Sequence, residues 1–392
     1  MDSQLHPSLV HRLAATELNL LNLAHTLPGM RLEGAAIDSG TPIYDPNGEI
    51  LFYRVGLRHG DVPAGYADLA AHTLFGEPLL GTAPDADWDA EYWIAAGRAA
   101  LQRMAKSPLH YDDVRLVAFS YPKLAVQFLE RGKELIMLEL VTWAVVPPAH
   151  RDRPLLEVSN FERFSLIAET PADVQREAHA RFEDHVARLE NVRVPETAGG
   201  GIVISKAALS PSFGVLSLYD TEDLHYSALT TDHHTCYELR GQETNVWCVV
   251  ASTQMVLDFY RYNYTQSRIA QQLGLGTLSN PSGLPYARDN DVAVALNAMS
   301  SGALTANMLT TPAFSAYTAE IRANRPLISF IPGHSRSVAG YTQSIFYAIA
   351  GHGYQGLLVY DPWPPNSGVI TRWENFNTQT YRRAFTAHVT TI

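Results

Sequence analysis

Residues 248–260, CVVASTQMVLDFY, place Val249, Ser252, Met255 or Val256, and Phe259 at helical intervals. A run this apolar predicts a mostly buried helix that starts near Asn245 or Trp247. The rest of the chain must then supply layers to cover it. Cys248 falls in the first turn of that helix and is one of two cysteines in the sequence. Two readings follow. The residue packs as a small hydrophobe, or it is a nucleophile. The first turn of a helix offers unpaired backbone N–H groups and a positive dipole end, and both favour thiolate.

The bulk properties narrow the classes. A length of 392 residues favours more than one domain. A net charge of −11 argues against nucleic acid as a partner, because phosphate binding needs clustered Lys and Arg. Cys236 and Cys248 are too few for a disulfide scaffold, and a bridge between them would consume the thiol. No run of 18 apolar residues occurs, so membrane insertion is not expected. The N-terminus reads as an amphipathic helix and not as a signal peptide. Compartment and oligomeric state stay open.

Cofactor and metal signals are weak. No Gly-rich phosphate loop with a following Lys-Ser/Thr is present. DHHTC at 232–236, with His225 nearby, matches no strong zinc spacing, and adjacent histidines on a strand point to opposite faces. Neither a cofactor nor a metal is expected. GHSRS at 333–337 is not the G-x-S-x-G elbow of a serine nucleophile.

Along the chain, residues 8–26 carry Leu9, Leu13, Leu20 and Leu23 at helical spacing. DPNGE at 45–49 predicts a tight turn into the strand ILFYRVGL. Residues 87–105 predict a helix capped by Asp87. Residues 114–130 read as strand interrupted by Pro122, and 134–146 as a second strand. In 170–190 a helix is expected with Thr170 as N-cap, Pro171 at N1 and Asp173 at the capping-box position. VPETAGGG at 194–201 is the best linker candidate. The expected division is a mixed α/β N-terminal domain over 1–200 and a second domain over 201–392. The first is inhibitory, substrate-binding or plain scaffold. If inhibitory, it would be removed by cutting near 195–205.

A thiol that attacks amides needs a base, a group that orients the base, and donors for the oxyanion. Gln242 lies six residues before Cys248, where its amide could donate to the oxyanion that the Cys248 N–H meets. His334 sits at the mouth of an apolar strand. Asp361 ends another strand, where a carboxylate can accept from the second imidazole nitrogen. The bland alternatives are a surface glutamine, a turn histidine and an ordinary Asp-Pro turn. His352 is a rival base, but it lies among glycines and reads as a loop residue.

The order Gln242, Cys248, His334, Asp361 resembles the papain-like cysteine peptidases, in the bacterial C39-like branch. The resemblance rests on Gln242 with Trp247-Cys248 and MVLDFY, on HSRSVAGY, and on VYDPW. It covers roughly residues 240–390. Two departures stand out: Cys-Val-Val follows the nucleophile position, and the gap from His334 to Asp361 is long. The resemblance implies an α+β fold with a papain-like C-terminal domain and peptide or protein substrates. It assigns oxyanion donor to Gln242, nucleophile to Cys248, base and acid to His334, and orienting group to Asp361. The same thioester chemistry also serves acyl transfer or a transglutaminase-like reaction. A non-catalytic binding module on the same fold is the other alternative.

Overall fold

The computed structural model describes residues 3–23, 27, 29–84, 87–105, 109–148, 163–189, 192, 202–205, 217–224, 237–346 and 352–390. The linker candidate at 194–201 and the DHHTC stretch, with Cys236, lie outside the described residues. The fold is α+β. Its main feature is one large mixed sheet to which both halves of the chain contribute.

In the N-terminal half the sheet is built from hairpins. The DPNGE turn closes through Asp45 N–H donating to Glu49 O at 2.8 Å, and the Asp45 carboxylate accepts from the Asn47 N–H at 3.0 Å. It joins Thr41–Tyr44 to Ile50–His59, which pairs in turn with Val62–Ala70 and then Leu79–Pro84. On the other side a short parallel contact, Tyr44 with Val117, brings in Asp113–Ser120. Lys123–Glu130 and Lys133–Glu139 follow. Pro122 does break the predicted run at 114–130. It sits in the two-residue turn between antiparallel strands.

In the C-terminal half, Leu327–Ile331, His334–Phe346, His352–Asp361 and Val369–Asn375 pair antiparallel in succession. Thr82 pairs with Trp373 and Gly81 with Glu374, so the strands of the two halves join edge to edge. The helix Cys248–Phe259 packs on His334–Phe346 and Leu327–Ile331. Ten of its side chains are buried, including Val249, Met255, Val256 and Phe259. This matches the expected buried helix, with its first helical residue at Cys248 itself. Gln266–Leu273, capped by the Thr265 side chain, and Asp291–Met299 pack beside it.

Several local expectations shift. The helix expected over 87–105 is Ala90–Met104, capped by Asp89 through the Tyr92 N–H; Asp87 instead pairs with Arg58 at 3.0 Å. The helix of 170–190 is Ala172–Leu189. Thr170 closes a preceding short helix, Leu166–Glu169, because Ser165 caps that turn first. The strand expected to run to 146 ends at Glu139, where Val141 and Trp143 adopt positive φ and turn the chain.

One buried ion pair ties the sheet together near the site. Arg336, fully buried, donates to both carboxylate oxygens of Glu374, also fully buried, and the Nη2–Oε1 distance is 2.7 Å. The Tyr381 hydroxyl donates to the same carboxylate at 2.7 Å. Breaking a buried pair strands a charge and costs about 3–5 kcal/mol. Glu374→Gln should therefore lower stability by about that much, read from the urea denaturation midpoint. A loss under about 1 kcal/mol would show the pair to be dispensable.

Candidate active site

Cys248 is the first residue of its helix and is 1% exposed. No side chain caps the helix: Trp247 occupies the N-cap, and its indole N–H donates instead to Leu275 O at 3.1 Å. The positive end of the helix is thus left to the thiol. Burial pushes the Cys248 thiol up. The charge of Lys123 opposes that, as do the backbone N–H groups of Ser335 and Val249 at the sulfur; Asp361 adds to the rise. The helix is also bonded to the strand that carries His334. Ser252 Oγ donates to Cys248 O at 2.8 Å, and Ser335 Oγ donates to Ser252 Oγ at 3.1 Å.

His334 starts its strand directly after a turn at Pro332-Gly333. Gly333 has φ +69°, a conformation that side chains resist, and its N–H donates to the Tyr286 hydroxyl at 2.9 Å. The His334 ring is fully buried. Its Nε2 lies 2.7 Å from Asp361 Oδ1, which also accepts from the Trp363 N–H at 2.9 Å. Nδ1 has no hydrogen-bond partner among the described residues. Burial pushes the imidazole below its ordinary value, against the pull of Asp361. A neutral ring that donates from Nε2 to the carboxylate presents Nδ1 as a proton acceptor.

Gln242 is buried and its backbone is clamped to the segment after Asp361. Its N–H donates to Pro362 O at 2.9 Å, and Asn366 N–H donates to its carbonyl at 2.8 Å. One N–H of its side-chain amide donates to Thr244 O at 2.7 Å, which leaves the other for a further acceptor. Gly241 makes the clamp fit, because a Cβ there would lie 2.6 Å from Ser367 N.

His352 is corrected in one respect. It is the first residue of the strand His352–Asp361 and not a loop residue. That strand puts it roughly 30 Å from Asp361, at the opposite end, which removes it as a partner of that carboxylate. The structure thus groups Cys248, His334, Asp361 and Gln242.

It also brings in residues that sequence reasoning missed. The turn after Asp113–Ser120 lies against the turn before His334. Ser120 Oγ donates to Pro332 O at 3.2 Å, and Lys123 Nζ donates to Gly333 O at 2.8 Å. The Trp363 indole donates to the Glu139 carboxylate, which burial pushes up. Next to Asp361 and Trp363 lies a cavity of about 210 Å³, walled by Tyr66, Trp88, Trp93 and Arg54. Arg54 is held by Asp68 at 2.7 Å and lies 4.1 Å from the Tyr66 ring centre. The contacts of Ser120, Lys123 and Trp363 each span more than two hundred residues of chain, and no local pattern announces them.

Residues 235–387 match the family model described as "Peptidase_C39 like family". Over these residues the C-terminal part of the chain is similar to the C39-like peptidases. Solved structures similar to the chain include a double glycine motif protease from an AMS/PCAT transporter in complex with the leader peptide. That likeness has 14% identity and a TM-score of 0.26, and it covers 41% of this chain and 96% of the other. Another is UfSP from C. elegans, with 10% identity and a TM-score of 0.30 over 56% of this chain and 46% of that one. This chain therefore matches less than half the length of that protein. No curated protein matches the chain. Among the described residues no helix is long and apolar enough to cross a membrane.

The clamp at Gln242 yields a test. Gly241→Ala should force the Asn366–Ser367 backbone away and lower stability by about 1–3 kcal/mol, read as a drop in Tm. An unchanged Tm would mean that the two segments do not pack this closely.

Proposed function

We propose that the protein is a cysteine peptidase that cleaves peptide or related amide bonds through a thioester on Cys248. The observation that carries this reading is the His334 ring, hydrogen-bonded to Asp361 at Nε2 and open at Nδ1, one residue before the Ser335 N–H that reaches the Cys248 sulfur. The thiolate attacks the carbonyl carbon. The Cys248 N–H and the remaining N–H of Gln242 receive the oxyanion. The imidazolium of His334, held in position by Asp361, protonates the leaving amine; the neutral ring then takes a proton from water as it attacks the thioester. Cys248 returns as thiolate and the acyl group leaves as an acid. If an amine replaces water in the last step, the product is an amide, and product analysis separates the two outcomes.

The N-terminal half serves as the wall that selects substrate. The cavity beside Asp361 and Trp363 is lined mainly by apolar side chains, with Tyr66, Trp88 and Trp93 among them, which suits a bulky apolar side chain close to the scissile bond. The site is closed around Cys248 and His334, so part of this cover must shift before a peptide carbonyl reaches the sulfur.

Two experiments test the reading. In kinetics on a peptide library, Cys248→Ala should cut kcat/KM by about 10,000-fold or more. Gln242→Ala should cut it by about 100- to 1,000-fold. Hydrolysis that survives Cys248→Ala would refute the assignment. For the wall, Trp93→Ala should raise KM for peptides with bulky apolar side chains and leave kcat near its original value. A fall in kcat at constant KM would remove the cavity from substrate binding.

A further inference from the structure

One group on the wall of the cavity beside Asp361 has donors to spare. Arg54 is 5% exposed and forms part of that wall. Its Nε and Nη2 donate to the two carboxylate oxygens of Asp68 at 2.7 and 2.9 Å. Nη1 has no hydrogen-bond partner among the described residues, so N–H groups of a buried guanidinium are left for an incoming acceptor. The guanidinium is held in place. Its carbon lies 4.1 Å from the Tyr66 ring centre and 4.6 Å from that of Trp88, and the Trp88 indole is anchored by donating to Thr41 Oγ1 at 3.2 Å. A donor fixed in this way needs no reordering when a ligand arrives.

The surroundings select the acceptor. Arg54 and Asp68 offset each other's charge, and Asp87 and Asp361 line the same cavity. A carboxylate side chain would meet like charges there, and a lysine or arginine would bring donors to a donor. Most of the remaining wall is apolar. A cavity of about 150 Å³ admits benzene, so about 210 Å³ has room for an aromatic ring with one added oxygen. Tryptophan offers only a donor, and phenylalanine fills the space but leaves Nη1 unmatched.

We infer that this cavity receives a tyrosine side chain of the substrate close to the scissile bond, and that Arg54 Nη1 donates to its phenol oxygen. The inference rests on the peptidase reading above and narrows its bulky apolar side chains to one kind. Arg54 lies outside residues 235–387, so this selection comes from the N-terminal half.

Two measurements test it. The first is kcat/KM on peptides matched except for one residue, placed in turn on either side of the bond that is cut. Tyrosine should exceed phenylalanine by about 10- to 100-fold, the effect of a hydrogen bond to a charged group. It should exceed glutamate and tryptophan by at least as much. In the double variant Arg54→Met with Asp68→Leu, which strands neither charge, the tyrosine-to-phenylalanine ratio should fall to near one. The ratio is read within one preparation, so partial loss of folded protein does not alter it. The second measurement needs no turnover. Calorimetric titration of the Cys248→Ala protein with N-acetyltyrosinamide should give a Kd about 10-fold or more below that for N-acetylphenylalaninamide. Equal kcat/KM for the two peptides, no difference between the two amides, a ratio that survives the double variant, or a preference for glutamate would each overturn the inference. Where hydrolysis still depends on Cys248, those outcomes leave the peptidase reading standing. Tyrosine-selective binding without Cys248-dependent hydrolysis removes the peptidase reading instead and keeps the tyrosine pocket.

Discussion

A buried imidazole tied at one nitrogen and open at the other is the arrangement on which the rest of this site depends. Asp361 accepts from His334 at 2.7 Å, and both side chains are shielded from water. That bond sets the ring orientation and the tautomer, and so decides which nitrogen faces the chemistry. Without it a buried histidine could rotate or settle in the other tautomer, and the nucleophile proposed at Cys248 would lose the base proposed at His334.

Three features hold that bond in place. The glycine at 333 lets the chain turn sharply into the His334 strand. Two residues after His334, the Arg336–Glu374 pair ties that strand to Val369–Asn375, the next strand but one in the sheet, and Val369–Asn375 is itself joined to the N-terminal strand Leu79–Pro84. The segment after Asp361 is clamped to Gln242, so the Gln242 amide and the Asp361 carboxylate are held by one connected stretch of backbone. The geometry of this cluster thus depends on a sheet assembled from both halves, although the family match begins only at residue 235.

What could be read in the sequence follows from range. The helix from Cys248 was legible because its apolar spacing is local, and His334 and Asp361 because each stands at a strand boundary marked by Gly or Pro. Cap positions slipped by one or two residues where several polar side chains compete, as at Asp87 and Asp89 or at Ser165 and Thr170. His352 looked like loop because its flanking glycines mask a strand start. Lys123 and Glu139 gave no signal at all. A lysine after a turn proline looks solvent-exposed, and only the fold reveals that the turn lies against Gly333.

The most direct measurement is intact and peptide-mapped mass spectrometry after brief exposure to a peptidyl epoxide, comparing the protein with His334→Ala. Opening the epoxide requires both a thiolate and a proton donor, so it reports the nucleophile and the imidazole together. The expected result is one adduct, confined to Cys248, whose formation is strongly slowed in His334→Ala. Slow and equal labelling of Cys236 and Cys248, indifferent to the loss of His334, would contradict it and leave an ordinary buried thiol.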